Sequence, residues 1–196
     1  MSLTWTNRVR RVLTVVGTAT AAVVALALPA SAHTPIFLDE TDVVPWTAPR
    51  MYNGDSNASF FGSVPNSHSW RTYQFTISDT TRGLDIATLV PDLAPENTLA
   101  PRDLPTLLVI TPDFKAITIK ANERTAVPVP ELGHNYLQVA HYTGPSVLGT
   151  YSVIIAGAQP ARFQITHGHH GVDWAGIEDA EVASLDQIQE WYNAAP

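Results

Sequence analysis

Between residues 70 and 165 apolar side chains recur at every second position, a spacing that suits an extended strand with one buried face. In "WRTYQFTI" Tyr73, Phe75 and Ile77 alternate with Thr72, Gln74 and Thr76, and Leu84 with Ile86 opens a second such run after "SDTTRG". "LLVI" at 107 to 110 is apolar throughout, as a central strand should be, and Ile117 with Ile119 folds back across the "TPDFK" turn. Leu137, Val139 and His141 share one face of the next strand, Tyr151, Val153 and Ile155 line another, and Phe163 with Ile165 supplies a last one. Seven or eight short strands divided by turn signals predict an all-β fold, an antiparallel β-sandwich of jelly-roll type. No helical period alternates with them, which disfavours a parallel α/β sheet.

The flanks differ from this middle. Residues 1–32 carry Arg8, Arg10 and Arg11, an apolar run from Val12 to Leu28, and then Ala30-Ser31-Ala32, the three parts of an export signal. Cleavage after Ala32 is predicted, with a secreted or cell-envelope product. An uncleaved anchor is the alternative, and the small residues before the cut weigh against it. The pair Arg10-Arg11 leaves the export route, Sec or twin-arginine, open. Residues 33–57 read as an extended arm packed on the domain, because Pro35, Pro45 and Pro49 forbid a long helix while Ile36, Phe37, Leu38, Val43, Val44 and Trp46 can adhere to a sheet. The sandwich is assigned to 58–167, and 168–196 to a linker and a C-terminal amphipathic helix. That helix starts with a capping box, Ser184 and Gln187, and places Leu185, Ile188, Trp191 and Tyr192 on one stripe.

Composition removes several function classes. There is no cysteine, which excludes disulfides, thiolate metal sites and cysteine nucleophiles. Without its leader the chain sets 8 basic against 18 acidic residues, a formal charge of −10, so a phosphate backbone is repelled and nucleic acid is not an expected partner. No second membrane span follows the leader. The G-x-S-x-G elbow, the H-E-x-x-H helix and the phosphate-binding glycine loop are all missing from the sequence.

Four stretches, "WRTYQFTI", "GLDIATLV", "LLVITPD" and "GTYSVIIAG", occur in an order that resembles the pre-peptidase C-terminal type of domain, a small extracellular β-sandwich. The likeness covers about residues 60–157 and is one of strands and turns. Phe114 departs from it, standing where that turn usually carries Gly or Asn, as does the proline-bearing loop at 88–105. The mature chain as a whole is similar to a class of secreted bacterial proteins that begin "HTPIFLDET". These resemblances imply export and a jelly-roll-like fold, and no reaction.

Histidines supply the metal candidates. If cleavage makes His33 the first residue, its amine and imidazole can chelate one copper ion, and a second histidine completes a three-nitrogen brace of the sort found on β-sandwiches in lytic polysaccharide monooxygenases and copper-resistance chaperones. His141, in phase with Leu137 and Val139, is the first choice for that ligand. The plain alternatives are a residue that merely comes after the cut and a core-edge imidazole bonded to backbone. In "THGHH", His167 and His169 point the same way on an extended strand, about 6.5 to 7 Å apart, and could share an ion, although such tracts are often adventitious chelators. Calcium is the lesser possibility, through Asp92, Glu96 and Asp103 or through Asp79 and Asp85.

Among the aromatics Trp46, Trp70 and Tyr142 could stack on sugar rings if exposed, while Trp70, directly before a strand, reads more simply as core filler. The leading expectation is a secreted, non-enzymatic binding module whose ligand is unknown, a carbohydrate or another envelope protein. The alternative is a copper-binding protein or redox enzyme built on His33.

Overall fold

A computed structural model describes residues 34–54, 56–130, 132–168 and 176–196. The predicted leader, His33 and His169 lie outside the described residues. The chain forms strands β1 (Thr34–Phe37), β2 (Arg50–Tyr52), β3 (Ala58–Val64), β4 (Trp70–Ile77), β5 (Leu84–Pro91) and β6 (Thr106–Ile110). After these come β7 (Ala116–Ile119), β8 (Thr125–Val129), β9 (His134–Gly144), β10 (Gly149–Ala156), β11 (Ala161–His167), β12 (Gly176–Glu178) and the helix α1 (Leu185–Asn193). Sheet A has the order β1-β3-β11-β5-β9-β8 and sheet B the order β12-β2-β4-β10-β6-β7.

The alternation seen in the sequence explains the two layers. Phe60, Leu84, Ile86, Phe163 and Ile165 from sheet A meet Tyr73, Phe75, Leu107, Val109, Tyr151, Val153 and Ile155 from sheet B in one buried cluster. The predicted all-β sandwich is the fold observed. Both sheets are mixed rather than purely antiparallel, because the arm adds a strand to each: β1 lies parallel to β3, and β2 lies parallel to β4. The arm expected to lie on the domain is therefore woven into it, its backbone groups satisfied by ladders that an adhering coil would lack.

The β6–β7 turn puts Phe114 at φ 60°, in the left-handed region that favours Gly or Asn. This is the physical reason such turns usually avoid a bulky residue there.

The helix begins as expected, with the Ser184 side chain accepting from the Gln187 backbone and the Gln187 side chain accepting from the Ser184 backbone. Ile188 and Tyr192 are buried, and Trp191 packs against Phe37, Phe61 and Tyr136 while donating its indole N–H to the Gly62 carbonyl at 3.1 Å. Phe37, Phe61, Leu89 and Tyr136 lie on the outer face of sheet A, so α1 roofs that face. Leu185, expected on the buried stripe, is half exposed at the start of the helix.

Candidate functional site

Beneath α1 lies a polar centre that the sequence did not announce. Arg162 on β11 and Glu96 from the loop after β5 form a buried ion pair, with Arg162 Nε and Nη2 donating to the two carboxylate oxygens at 2.8 and 2.7 Å. Arg162 Nη1 also donates to the carbonyls of Tyr192 at 2.5 Å and Ala194 at 2.7 Å, which fastens the C-terminal end of the helix. Glu96 was a calcium candidate with Asp92 and Asp103; committed to Arg162, it serves packing instead. Among the described residues no three His, Asp or Glu side chains gather where they could hold a metal ion.

His134 completes the contact with the helix. Its ring stacks on Tyr192 with centroids 3.8 Å apart, Nε2 lies 2.8 Å from the Gln189 side-chain oxygen, and Nδ1 lies 3.2 Å from the Tyr136 hydroxyl. A neutral imidazole with its proton on Nε2 satisfies both contacts. Burial pushes the His134 pKa below the ordinary histidine value, against a smaller opposing pull from the Gln189 bond. A folded pKa below the unfolded one means that the unfolded chain takes up the proton first. The contribution of His134 to stability is thus full above about pH 6.5 and is lost as pH falls from there through the folded pKa. Trp191 fluorescence should therefore report loosening of α1 at pH 5 relative to pH 7, and His134→Gln should abolish the part of that change that sets in near the ordinary histidine pKa.

The remaining histidines are placed differently from expectation. His141 does not share a face with Leu137 and Val139. Between β5 and β9, Thr88 pairs with Ala140 but Leu89 pairs with Gln138, so Val139 is an extra residue that reverses the phase of the rest of β9. Ala140 and the partly buried Tyr142 thereby join the core, and His141 turns outward, where Nε2 meets the Asp85 carboxylate at 2.7 Å. It is bonded to a carboxylate, and not, as a core-edge imidazole would be, to backbone.

His141 is also far from β1. The row Pro35, Ser59, Thr166, Ala87, His141 crosses sheet A through four strand spacings, about 19 Å. The register does not bring His141 to the start of the chain's first strand, and the other half of the predicted copper brace, His33, lies outside the described residues. His167 is 1% exposed and faces the core. Its Nε2 lies 2.5 Å from the Tyr73 hydroxyl, with the rings of Phe60 and Phe75 packed around it. Strand β11 ends at His167, and Gly168 takes φ 91°, so the extended geometry that was to aim His167 and His169 alike stops there.

Among the described residues, much of the outer face of sheet B is exposed. Alternation places Trp70, Gln74 and Thr76 of β4 on it, with Arg50 and Tyr52 of β2, Thr150 and Ser152 of β10, and Glu178 of β12, while Thr72, on the same side of β4, is fully buried. These residues form a ladder across strands. Arg50 donates through Nε and Nη2 to the Gln74 carbonyl oxygen at 3.1 and 2.8 Å, and Gln74 Nε2 donates to Ser152 Oγ at 3.1 Å. The Thr76 and Thr150 hydroxyls are 3.1 Å apart, and Arg50 faces Glu178 at 4.0 Å. The Tyr52 hydroxyl donates to Glu178, and that bond raises the tyrosine pKa, keeping the phenol protonated.

Two exposed rings flank the ladder. Tyr52 is 40% exposed, and Trp70 is 45% exposed with its indole N–H donated to the Val43 carbonyl at 2.9 Å. Trp70 is therefore not core filler: the first residue of β4 falls on the outward side of the alternation that buries Tyr73. Trp46, on the turn after Val43, is 74% exposed. Tyr142 packs partly against the core. Sequence alone shows Gln74 and Thr76 as outward residues, yet it cannot show that Arg50, Ser152 and Glu178, 24, 78 and 104 positions from Gln74, lie in the same row.

A scan against models of known protein families and a search of curated proteins find no match to this chain.

Proposed function

We propose that this chain is an exported, non-enzymatic binding module that acts at or outside the cell envelope and engages its ligand through the open outer face of sheet B. The observation that carries this reading is the polar ladder on the outer face of sheet B, pre-bonded and flanked by exposed rings, whereas α1 packs over Phe37, Phe61, Leu89 and Tyr136 on the outer face of sheet A. Side chains already fixed by one another lose little freedom when a ligand arrives, so such a ladder favours recognition over mere solubility. Export is supported by the leader pattern of residues 1–32.

The test is co-sedimentation of the purified mature protein with isolated cell envelopes. Binding should be lost in the double variant Arg50→Ala/Gln74→Ala and kept in His141→Ala, which alters the opposite face. Equal binding by all three proteins would refute the assignment of the working face.

A further inference from the structure

We propose that one end of the sandwich, formed by the β6–β7 turn and the β9–β10 loop, inserts Phe114, Leu148 and Val147 into the surface of a lipid bilayer. This end is separate from the sheet B ladder, and the inference stands independently of that reading.

Register brings the two loops together. Ile110, the last residue of β6, pairs with Ala116, the first of β7, and Gly149, the first residue of β10, pairs with Ile77, the last of β4. A Cβ at Gly149 would sit 2.9 Å from Pro112 Cβ, so the turn at 111–115 and the loop at 145–148 abut. Phe114 is 91% exposed, the most exposed large apolar side chain among the described residues, and Leu148 and Val147 are 63% and 41% exposed. Phe114 also keeps φ 60°, where Gly or Asn is at ease. A ring held at a costly backbone angle and left bare adds nothing to the fold, so its use lies outside the chain.

Charge favours lipid as the occupant. The loops at 78–83, 111–115 and 145–148 carry Asp79 and Asp113 against Arg82 and Lys115, a balance of zero on a mature chain of formal charge −10. Asp113 and Lys115 are paired at 2.8 Å. The acidity that anionic headgroups would repel is thus placed elsewhere on the molecule.

Backbone bonding favours it too, because polar groups that enter lipid need partners within the chain. The Phe114 N–H donates to the Thr111 carbonyl, the Thr111 N–H to the Lys115 carbonyl, both at 2.9 Å, and the Val147 N–H to the Tyr151 hydroxyl at 2.7 Å. Pro112 and Pro145 have no N–H to satisfy. The turn is also stiff: Thr111 Oγ1 donates to the Asp113 carboxylate at 2.5 Å and accepts the Lys115 N–H at 2.9 Å.

The start of the chain points the same way. Thr34, Ala58, His167, Ile86 and Tyr142 form one row across sheet A, so β1 begins at the end where β9 runs into the 145–148 loop. The predicted leader, with its apolar run, precedes Thr34. The end nearest the bilayer as the chain crosses it is therefore the end that bears Phe114.

Flotation of the purified mature protein with vesicles of phosphatidylcholine, alone or mixed equally with phosphatidylglycerol, tests the proposal. The protein should float with phosphatidylcholine alone, with less than about a twofold change between low and high salt. Phe114→Asn and Leu148→Ser should each weaken binding about tenfold or more. Phe114→Asn should unfold at no lower urea concentration than wild type, since Asn suits its φ, which separates lost binding from lost folding. The chain has no cysteine, so an environment-sensitive dye on Leu148→Cys reports that site alone; it should shift to the blue on vesicles, and the same dye on Ser67→Cys, in the exposed β3–β4 turn at the other end, should not. Arg50→Ala/Gln74→Ala should float like wild type. No flotation, flotation that requires phosphatidylglycerol and vanishes in salt, unchanged binding by the Phe114 and Leu148 variants, a shift at Ser67→Cys instead, or loss of flotation in Arg50→Ala/Gln74→Ala would each overturn it. A concentration-dependent dimer that Phe114→Asn abolishes, in a protein that ignores vesicles, gives this end to a second copy and also overturns the proposal.

Discussion

Replacing Glu96 with alanine should lower folding stability by about 3 to 5 kcal/mol, because it strands the Arg162 guanidinium beneath α1 without its counter-charge. Both partners are almost wholly inaccessible, and Glu96 also accepts the Arg162 backbone N–H at 2.7 Å, so water cannot take over its contacts. The same arginine holds the carbonyls of Tyr192 and Ala194 and that of Ala94, at 3.2 Å, so the loss reaches both the helix and the loop that carries Glu96. Urea unfolding should show a midpoint shift of that size, with Trp191 fluorescence changing before the global transition. Replacing the pair together, Glu96→Leu with Arg162→Met, should cost much less than Glu96→Ala alone, since no buried charge is then left unpaired. A double variant as unstable as the single one would show that the pair acts through shape and not charge.

Phe75→Ala should cost a similar amount, about 3 to 5 kcal/mol, by a different route. Its ring is fully buried, stacks on Tyr151 with centroids 4.7 Å apart and lies 4.6 Å from the His167 ring, so truncation opens a cavity in the middle of the sandwich. The neighbouring chain fits closely against that ring: a Cβ at Gly54 would sit 2.4 Å from Phe75 Cδ2. Gly54→Ala alone should therefore destabilise, and the same substitution in the Phe75→Ala background should cost less or recover part of the loss by filling the void. Denaturant midpoints of the two single variants and the double give the coupling directly. Strict additivity would mean that Gly54 and Phe75 do not share the space the packing implies.

The strands of the sandwich were legible because each carries its own two-residue period, and that information is local. Tyr73, Phe75 and Ile77, or Tyr151, Val153 and Ile155, need no knowledge of a partner to reveal which side is buried. What fails is anything set by pairing. One extra residue at Val139 turns His141 from the inner to the outer side, and nothing in "NYLQVAHY" distinguishes a bulged strand from a regular one. The arm's prolines pointed to extended backbone, but its parallel seating in both sheets depends on β3 and β4 offering free edges. In the candidate site Trp70 was visible as an aromatic, while Tyr52 and the polar ladder were not, since Arg50, Gln74, Ser152 and Glu178 belong to four strands and meet only by register. The buried pair hid for a related reason: Glu96 sits in an acidic, proline-bearing loop that looks solvent-facing until Arg162 is placed beside it.

The parallel seating of β1 has a mechanical consequence. Tension drawn from the amino-terminal side runs along β1, across the direction of its hydrogen bonds to β3, so the ladder is sheared as a set and cannot be unzipped one rung at a time. The opposite edge of β1 is tied as well, by the bridge from Ile36 to Val182 and the bond from the Ala183 N–H to the Pro35 carbonyl at 2.9 Å. A pull at this end meets resistance on two sides before either layer begins to come apart.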